Sequence, residues 1–307
     1  MNSSTRRDFT RRDFTGRAAL AGAMALARGR AATSSGRPAL CLFSKHLPKL
    51  NYAELAATVK QMGFDGVDLT VRPEGHVLPE RAAEDLPRAV ETIRAQSLAV
   101  AMITTGLTSP SDPAARPTLS AAGRLGVPFF KLGYWHYPDG VSIEARLAEI
   151  RRDVAGLVAI GKEHGIAAGF HNHSGNYVGA AVWDTRAIIA DMDPRWIGYY
   201  FDPCHATAEG GEGGWLIDLR MALARIKMVA IKDFRWEKRD GKWKMTMCPL
   251  GEGMVNWPKF FSILAAARFS GPISLHMEYE AADERAAIAR DFAFLRKQVD
   301  AAYGGLS

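Results

Sequence analysis

Four apolar runs in the second half of the chain end on groups that can move protons or hold charge. They close on Phe170-His171-Asn172-His173, Phe201-Asp202-Pro203-Cys204-His205, Ile231-Lys232-Asp233 and His276-Met277-Glu278-Tyr279-Glu280. Side chains alternate along a strand, so His171 and His173 share one face, as do His276, Glu278 and Glu280. A carboxylate such as Asp202 at the end of an apolar run is costly to bury unless a cation or several donors meet it. Brought together, His171, Asp202, Lys232 and Glu278 supply bases, a second carboxylate and a positive charge. That set suits abstraction of a proton beside a carbonyl, with something positive holding the developing enediolate. Glu278 and His171 are the candidate bases and Lys232 the candidate stabiliser. His173 and His205 are placed to bind or protonate substrate oxygens, with Arg235 beside them. Trp135 and Trp236 are the candidate apolar platforms for a substrate, whereas Tyr134, Tyr199 and Tyr200 read as barrel packing.

These residues need a scaffold that brings four strand ends together. From Ala39 onward, β-type runs alternate with helical segments, at 40–43, 66–71, 98–104, 129–134, 166–173, 197–202, 228–234 and 273–279. The first seven start about 30 residues apart, the length of a strand, a helix and two loops. In one helical segment Ile143, Leu147, Ile150, Val154 and Val158 recur at spacings of three and four, a single apolar face. An open nucleotide-binding sheet would carry a glycine-rich turn after its first strand. Here that turn is Ser44-Lys45-His46-Leu47-Pro48. The polar groups gather instead at the ends of runs five to eight, which predicts a closed (β/α)8 TIM barrel over residues 38–307 with its site on the C-terminal face. Residues 235–247, with Asp240-Gly241 at the centre, read as a hairpin lying over that site.

Charge excludes one class of partner. The net +6 sits entirely in residues 1–37, which hold eight Arg and two Asp; the rest of the chain has 31 basic and 31 acidic side chains. A neutral body has no excess charge for a nucleic-acid backbone. The leader carries TRRDFT twice, at 5–10 and 10–15, followed by the short apolar run 18–27. Paired arginines before such a run resemble a twin-arginine export signal, which predicts a periplasmic or otherwise exported protein. No apolar stretch is long enough to span a bilayer, so no membrane attachment beyond export is expected. Three cysteines, Cys41, Cys204 and Cys248, fit neither a disulfide framework nor a zinc motif and read as small buried hydrophobes.

The strand-end segments, with Gly63-Phe64-Asp65-Gly66-Val67-Asp68-Leu69, Leu250-Gly251-Glu252-Gly253 and Val255-Asn256-Trp257, also carry a resemblance. The chain is similar over about residues 38–303 to the xylose isomerase-like TIM-barrel superfamily. That superfamily includes sugar-phosphate isomerases and epimerases, ketose 3-epimerases, inosose dehydratases and apurinic endonucleases. The resemblance implies a small sugar or cyclitol as substrate and one divalent metal (Mn, Zn, Co or Mg). Its ligands are usually a Glu on strand five, an Asp on strand six, a His on strand seven and a Glu on strand eight. Asp202 and Glu278 match; the strand-five position is His171, and the strand-seven position is Ala230. Two routes stay open. Either His171, Asp202 and Glu278 hold a metal, with His173, His205 or His276 filling in, or Lys232 supplies the positive charge without one. Isomerase or epimerase chemistry is expected first, dehydratase chemistry on the same site second, and non-catalytic carbohydrate binding third. The endonuclease branch is disfavoured by the missing strand-seven His and the neutral body, and no oligomeric state is implied.

Overall fold

The structure, a computed structural model, describes residues 36–305. All of the predicted leader except Gly36 and Arg37 lies outside them. Eight parallel strands close into a barrel. They are β1 (Leu40–Phe43), β2 (Gly66–Val71), β3 (Ala99–Thr105), β4 (Phe129–Lys131), β5 (Ala167–His171), β6 (Ile197–Phe201), β7 (Ile226–Ile231) and, last in the chain, β10 (Ile273–Leu275). β1 pairs with both β2 and β10, which closes the ring. The expected (β/α)8 TIM barrel is therefore the observed fold. Between β7 and β10 lies the antiparallel hairpin β8 (Asp233–Arg239) and β9 (Lys242–Cys248). Its turn residues Asp240 and Gly241 take φ of 51° and 75°, the left-handed pair that a two-residue hairpin needs.

Helices wrap the barrel and bury one stripe each. The longest, Ile143–His164, starts on a Ser142 cap that accepts from the Ala145 amide and stops at Gly165, whose φ of 75° ends the helix. Its buried stripe is Ile150, Val154, Leu157 and Ile160, one step round from the expected face, and Ile143 is exposed in the first turn. Inside the barrel, Met102, Tyr200, Met228 and Ala230 form a small buried cluster. Asp68, Thr104, Ser274 and His276 make a buried polar group joined to it by the Tyr200 hydroxyl, which bonds Asp68 and His276.

Several expected strands are shorter than the sequence runs: β4 stops at Lys131, β5 at His171 and β6 at Phe201. β10 stops at Leu275, so His276 and Glu278 sit just beyond the ladder. The run at 228–234 is two strands, β7 and β8, with Lys232 at the joint. Asp233 explains the break. Its carboxylate accepts from the amides of Phe234, Gly251, Gly253 and Val255 and from the Trp257 indole at 2.8–3.3 Å. That gathers the Leu250-Gly-Glu-Gly loop against the strand end. A Cβ on Gly253 would fall 2.1 Å from Asp233 Oδ1, so only glycine fits there. Asp233 is thus structural, and it fixes the chain on either side of Lys232.

Candidate active site

Asp202 is the first residue of the site to be held in place. It caps the helix Pro203–Ala222, its Oδ1 accepting from the Cys204 and His205 amides at 2.9 and 3.2 Å. Asn172 then staples β5 to β6 in both directions: its Nδ2 donates to the Asp202 carbonyl at 2.9 Å, and its Oδ1 accepts from the Asp202 amide at 2.8 Å. This clamp brings His171 Nε2 to 3.2 Å from Asp202 Oδ2. A carboxylate only accepts, so the proton is on Nε2. Burial, and then the Lys232 charge, hold the His171 pKa well below 6.5, so the ring is neutral and Nδ1 is an acceptor. It receives the Tyr134 hydroxyl at 2.7 Å. Tyr134, His171 and Asp202 are therefore one hydrogen-bonded relay.

On the other side of Asp202 stands Lys232. Its Nζ lies 3.3 Å from Asp202 Oδ2 and 3.0 Å from Glu278 Oε2. Burial alone would lower the Lys232 pKa, but the two carboxylates outweigh it and the pKa is raised, so the ammonium is permanent. The same pairing overcomes burial at Glu278 and holds that carboxyl well below its ordinary range. Lys45 at 3.5 Å adds to this on Oε1. His276 donates from Nε2 to Tyr200 at 3.0 Å and leaves Nδ1 without a hydrogen bond, 3.9 Å from Glu278 Oε1.

These groups enclose a chamber of about 110 Å³. His171, His173, Lys232 and Glu278 line it from the β5–β10 side, and Phe43, Lys45, Arg72, Thr104, Lys131 and Tyr134 from the β1–β4 side. Glu278 also borders a shallower outer groove of about 910 Å³, walled by the hairpin through Arg235, Arg239 and Met245. The hairpin, expected over the site, walls the outer groove beside it, and none of its residues lines the chamber.

Several residues differ from the roles that the sequence suggested. His171, Asp202 and Glu278 do not converge as a metal site. Both ring nitrogens of His171 are used, and the Lys232 ammonium lies between the two carboxylates. Among the described residues no group of three or more His, Cys, Asp or Glu is arranged to hold a metal ion. A divalent cation would have to displace a buried ammonium held by two carboxylates, so the donor set does not fit it. Trp135 is no platform: it is buried and stacked on Phe170 at 5.4 Å. Trp236 sits half-exposed on the hairpin, edge-on to Phe234 and away from both cavities. Tyr134 and Tyr200, both read as packing, line the chamber with Phe43. Arg235 is paired with Glu237 at 2.6 Å in the outer groove, and His205 lies behind His173, the two rings tilted by 36° at 3.9 Å. His173 does face the chamber; its Nδ1 donates to the Ser174 carbonyl at 2.9 Å, which leaves Nε2 free to accept. Cys204 is fully buried with a raised pKa, as a small core residue would be. Lys131, Arg72 and Lys45 went unassigned in the sequence, because they lie in the first half of the chain with no spacing that ties them to strands five to eight.

A closed barrel with its charged groups gathered at the C-terminal mouth defines a TIM-barrel class of protein. Within that class the chain belongs to the xylose isomerase-like TIM barrel family, whose model matches residues 56–298. Similar solved structures include a 3-keto-D-glucoside 4-epimerase from E. coli (15% identity, TM-score 0.68, 85% of this chain and 100% of that one). A xylose isomerase-like TIM barrel protein from Mycobacterium smegmatis in complex with magnesium aligns at 16% identity and TM-score 0.68, over 88% and 99% of the two chains. An L-ribulose 3-epimerase aligns at 16% identity and TM-score 0.66, over 86% and 95%. No curated protein sequence matches the chain.

Proposed function

We propose that this protein is a sugar or cyclitol isomerase or epimerase that removes a proton from the carbon beside a carbonyl, with the Lys232 ammonium stabilising the enediolate. The observation that carries the reading is the Lys232 position, 3.3 Å from Asp202 and 3.0 Å from Glu278 at the chamber wall. A carbonyl oxygen accepting from Lys232 would draw the ammonium partly away from Glu278. The carboxylate, otherwise held far too weak a base, then gains basicity as the substrate binds. Glu278 takes the α-proton, and negative charge builds on the oxygen facing Lys232. Tyr134 stands across the chamber with a hydroxyl backed by His171 and Asp202. It returns a proton to the other face or to the neighbouring carbon; His171 Nδ1, which carries no proton, holds the hydroxyl in place, and Tyr134 and Glu278 reset by proton exchange with solvent. His173 Nε2 accepts from a substrate hydroxyl. The family's known activities and the epimerases among the similar structures support the sugar class.

The same relay favours a second reading. A hydroxyl acid opposite an enolising base can protonate a β-hydroxyl and expel it as water, which is dehydration. Product analysis separates the two: an enone is a dehydratase product, and an isomeric ketose or its epimer is not.

The test is wash-in of solvent deuterium at the α-carbon of keto-sugars and inososes. Exchange should survive chelators and should fall by about 10²–10³ in Lys232→Met, the usual loss for one electrostatic stabiliser. Chelator-sensitive exchange restored by Mn or Co would overturn the Lys232 role. No exchange with any substrate would leave carbohydrate binding as the better reading. Export by the leader is proposed as well: replacing Arg6, Arg7, Arg11 and Arg12 by Lys should keep the protein in the cytoplasm.

A further inference from the structure

The half of the chamber opposite Lys232 carries charge that the proposed chemistry does not use. Lys131 is 3% exposed, and its ammonium makes no hydrogen bond or ion pair with any described residue. Its one close partner is the face of Tyr134, 3.4 Å from Nζ to the ring centre. Arg72, half-buried beside it, likewise has no carboxylate partner among the described residues; its guanidinium lies 5.7 Å from the centre of the Phe43 ring. Lys45 stands at the same wall and reaches only Glu278. The nearby Asp68 does not pair with these cations, because its oxygens are taken by Thr104 at 2.8 Å, Tyr200 at 3.1 Å and Ser274 at 2.8 Å. The chamber lining therefore holds four cations against the single carboxylate of Glu278, with Asp202 behind Lys232.

Burying cations without partners is unfavourable, and a fold that only needed filling would place apolar groups there. Burial, with Arg72 adding to it, pushes the Lys131 pKa well below 10.5, a cost that an arriving anion would reverse. The chamber of about 110 Å³ is far smaller than the roughly 300–1,000 Å³ of a typical small-molecule site. It suits one end of a substrate, the remainder extending past Glu278 into the outer groove. We infer that the substrate is an anionic sugar, whose carboxylate or phosphate is held by Lys131 and Arg72 while the adjoining carbons lie between Lys232, Glu278 and Tyr134. The inference rests on the enolising reading for the placement of the reacting carbons, and on the charge of the lining alone for the anion.

The test compares binding of 2-keto-D-gluconate, D-fructose 6-phosphate, D-fructose and inorganic phosphate to the full chain at constant ionic strength. One or both anionic sugars should bind at least tenfold more tightly than D-fructose, and which of them does so separates carboxylate from phosphate. Arg72→Gln and Lys131→Met should each weaken the anionic ligand by about tenfold to a hundredfold, the range for a hydrogen bond to a charged group, and leave D-fructose unchanged. Arg72 is half-exposed, so Arg72→Gln carries the test even if Lys131→Met folds poorly. Equal affinity for neutral and anionic sugars, or equal loss of all ligands in Arg72→Gln, would overturn the inference. So would borohydride trapping of a keto-sugar on Lys131, which would assign that residue to imine chemistry. Deuterium wash-in tells the two readings apart. Exchange into D-fructose without anion binding leaves enolisation standing and removes the anionic substrate. Anion binding that depends on Arg72 with no exchange anywhere does the reverse.

Discussion

Lys232 and Lys131 face one chamber from opposite halves of the barrel, both almost fully buried, and their surroundings could hardly differ more. Lys232 lies between two carboxylates that fix its charge; Lys131 has an aromatic face and no carboxylate. A paired ammonium is part of the folded architecture, while an unpaired one is a vacancy for a ligand's charge. Stability measurements should expose the contrast most strongly. Lys232→Met leaves Asp202 and Glu278 buried without their cation, and breaking such a pair costs roughly 3–5 kcal/mol. Lys131→Met removes a desolvated charge that no carboxylate pairs directly, the attraction of the nearby Asp68 being outweighed by burial, so denaturant unfolding should find it neutral or more stable than the parent. Comparable losses in both variants would mean that Lys131 has a structural partner after all, and the comparison would break.

The carboxylates repeat the lesson on a smaller scale. Asp202 is met by Lys232, His171 and two amides; buried Asp68 accepts hydrogen bonds from three hydroxyls, with His276 Nε2 3.9 Å away. Burial raises the Asp68 pKa from 3.8 to about 6, with its three hydroxyl bonds opposing the rise. Below about pH 4 the side chain is neutral in folded and unfolded chains alike. Between about pH 4 and 6 only the folded chain keeps the proton, so this contribution to stability is lost as pH rises through that window. At about 1.4 kcal/mol per pKa unit, the total is on the order of 3 kcal/mol. Asp68→Asn cannot ionise. The stability difference between parent and variant should therefore shift against the parent from pH 4 to 6 and level off above it. Parallel curves over that range would show that Asp68 titrates normally.

How much of this was legible in the sequence follows from what each residue needs to declare itself. The barrel was readable because the spacing of about 30 residues repeats through the first seven apolar runs, and the hairpin because Asp240-Gly241 is a turn that few alternatives fit. His171, Asp202, Lys232 and Glu278 announced themselves by interrupting apolar runs, and they do meet. What did not show was their pairing. A spacing can say that Asp202 and Glu278 share a mouth, but not that Lys232 lies between them, because the break at Asp233 that aims Lys232 is made by amides and an indole 18–24 residues away. The β1–β4 wall was illegible for a different reason. Lys131 closes the short strand β4 beside Phe129 and Phe130, and a lone lysine at a strand end reads as solvated. Tyr134 and Trp135 are neighbours of similar character; only the direction in which the chain leaves β4 decides that the tyrosine enters the chamber and the tryptophan the core.

Tyr134 is where the two halves of the comparison join, since its ring lies under Lys131 and its hydroxyl on His171. Tyr134→Phe keeps the ring, and so keeps the contact with Lys131, while deleting the hydroxyl proton that Tyr134 donates. If Tyr134 is the acid opposite Glu278, turnover should fall by about tenfold to a hundredfold, at the low end of what general acids contribute. Anion affinity should stay within a factor of two or so of the parent, because the cation–π contact survives. Deuterium wash-in should fall less than turnover, because Glu278 and Lys232 still enolise the substrate while reprotonation at the second position is slowed. His171→Gln offers the matching control: it acts through Tyr134, so combining it with Tyr134→Phe should add little to either change alone, as expected for residues that work as a unit. Fully additive losses, or a Tyr134→Phe variant whose turnover is intact, would separate Tyr134 from His171 and leave His173 Nε2 as the group that returns the proton.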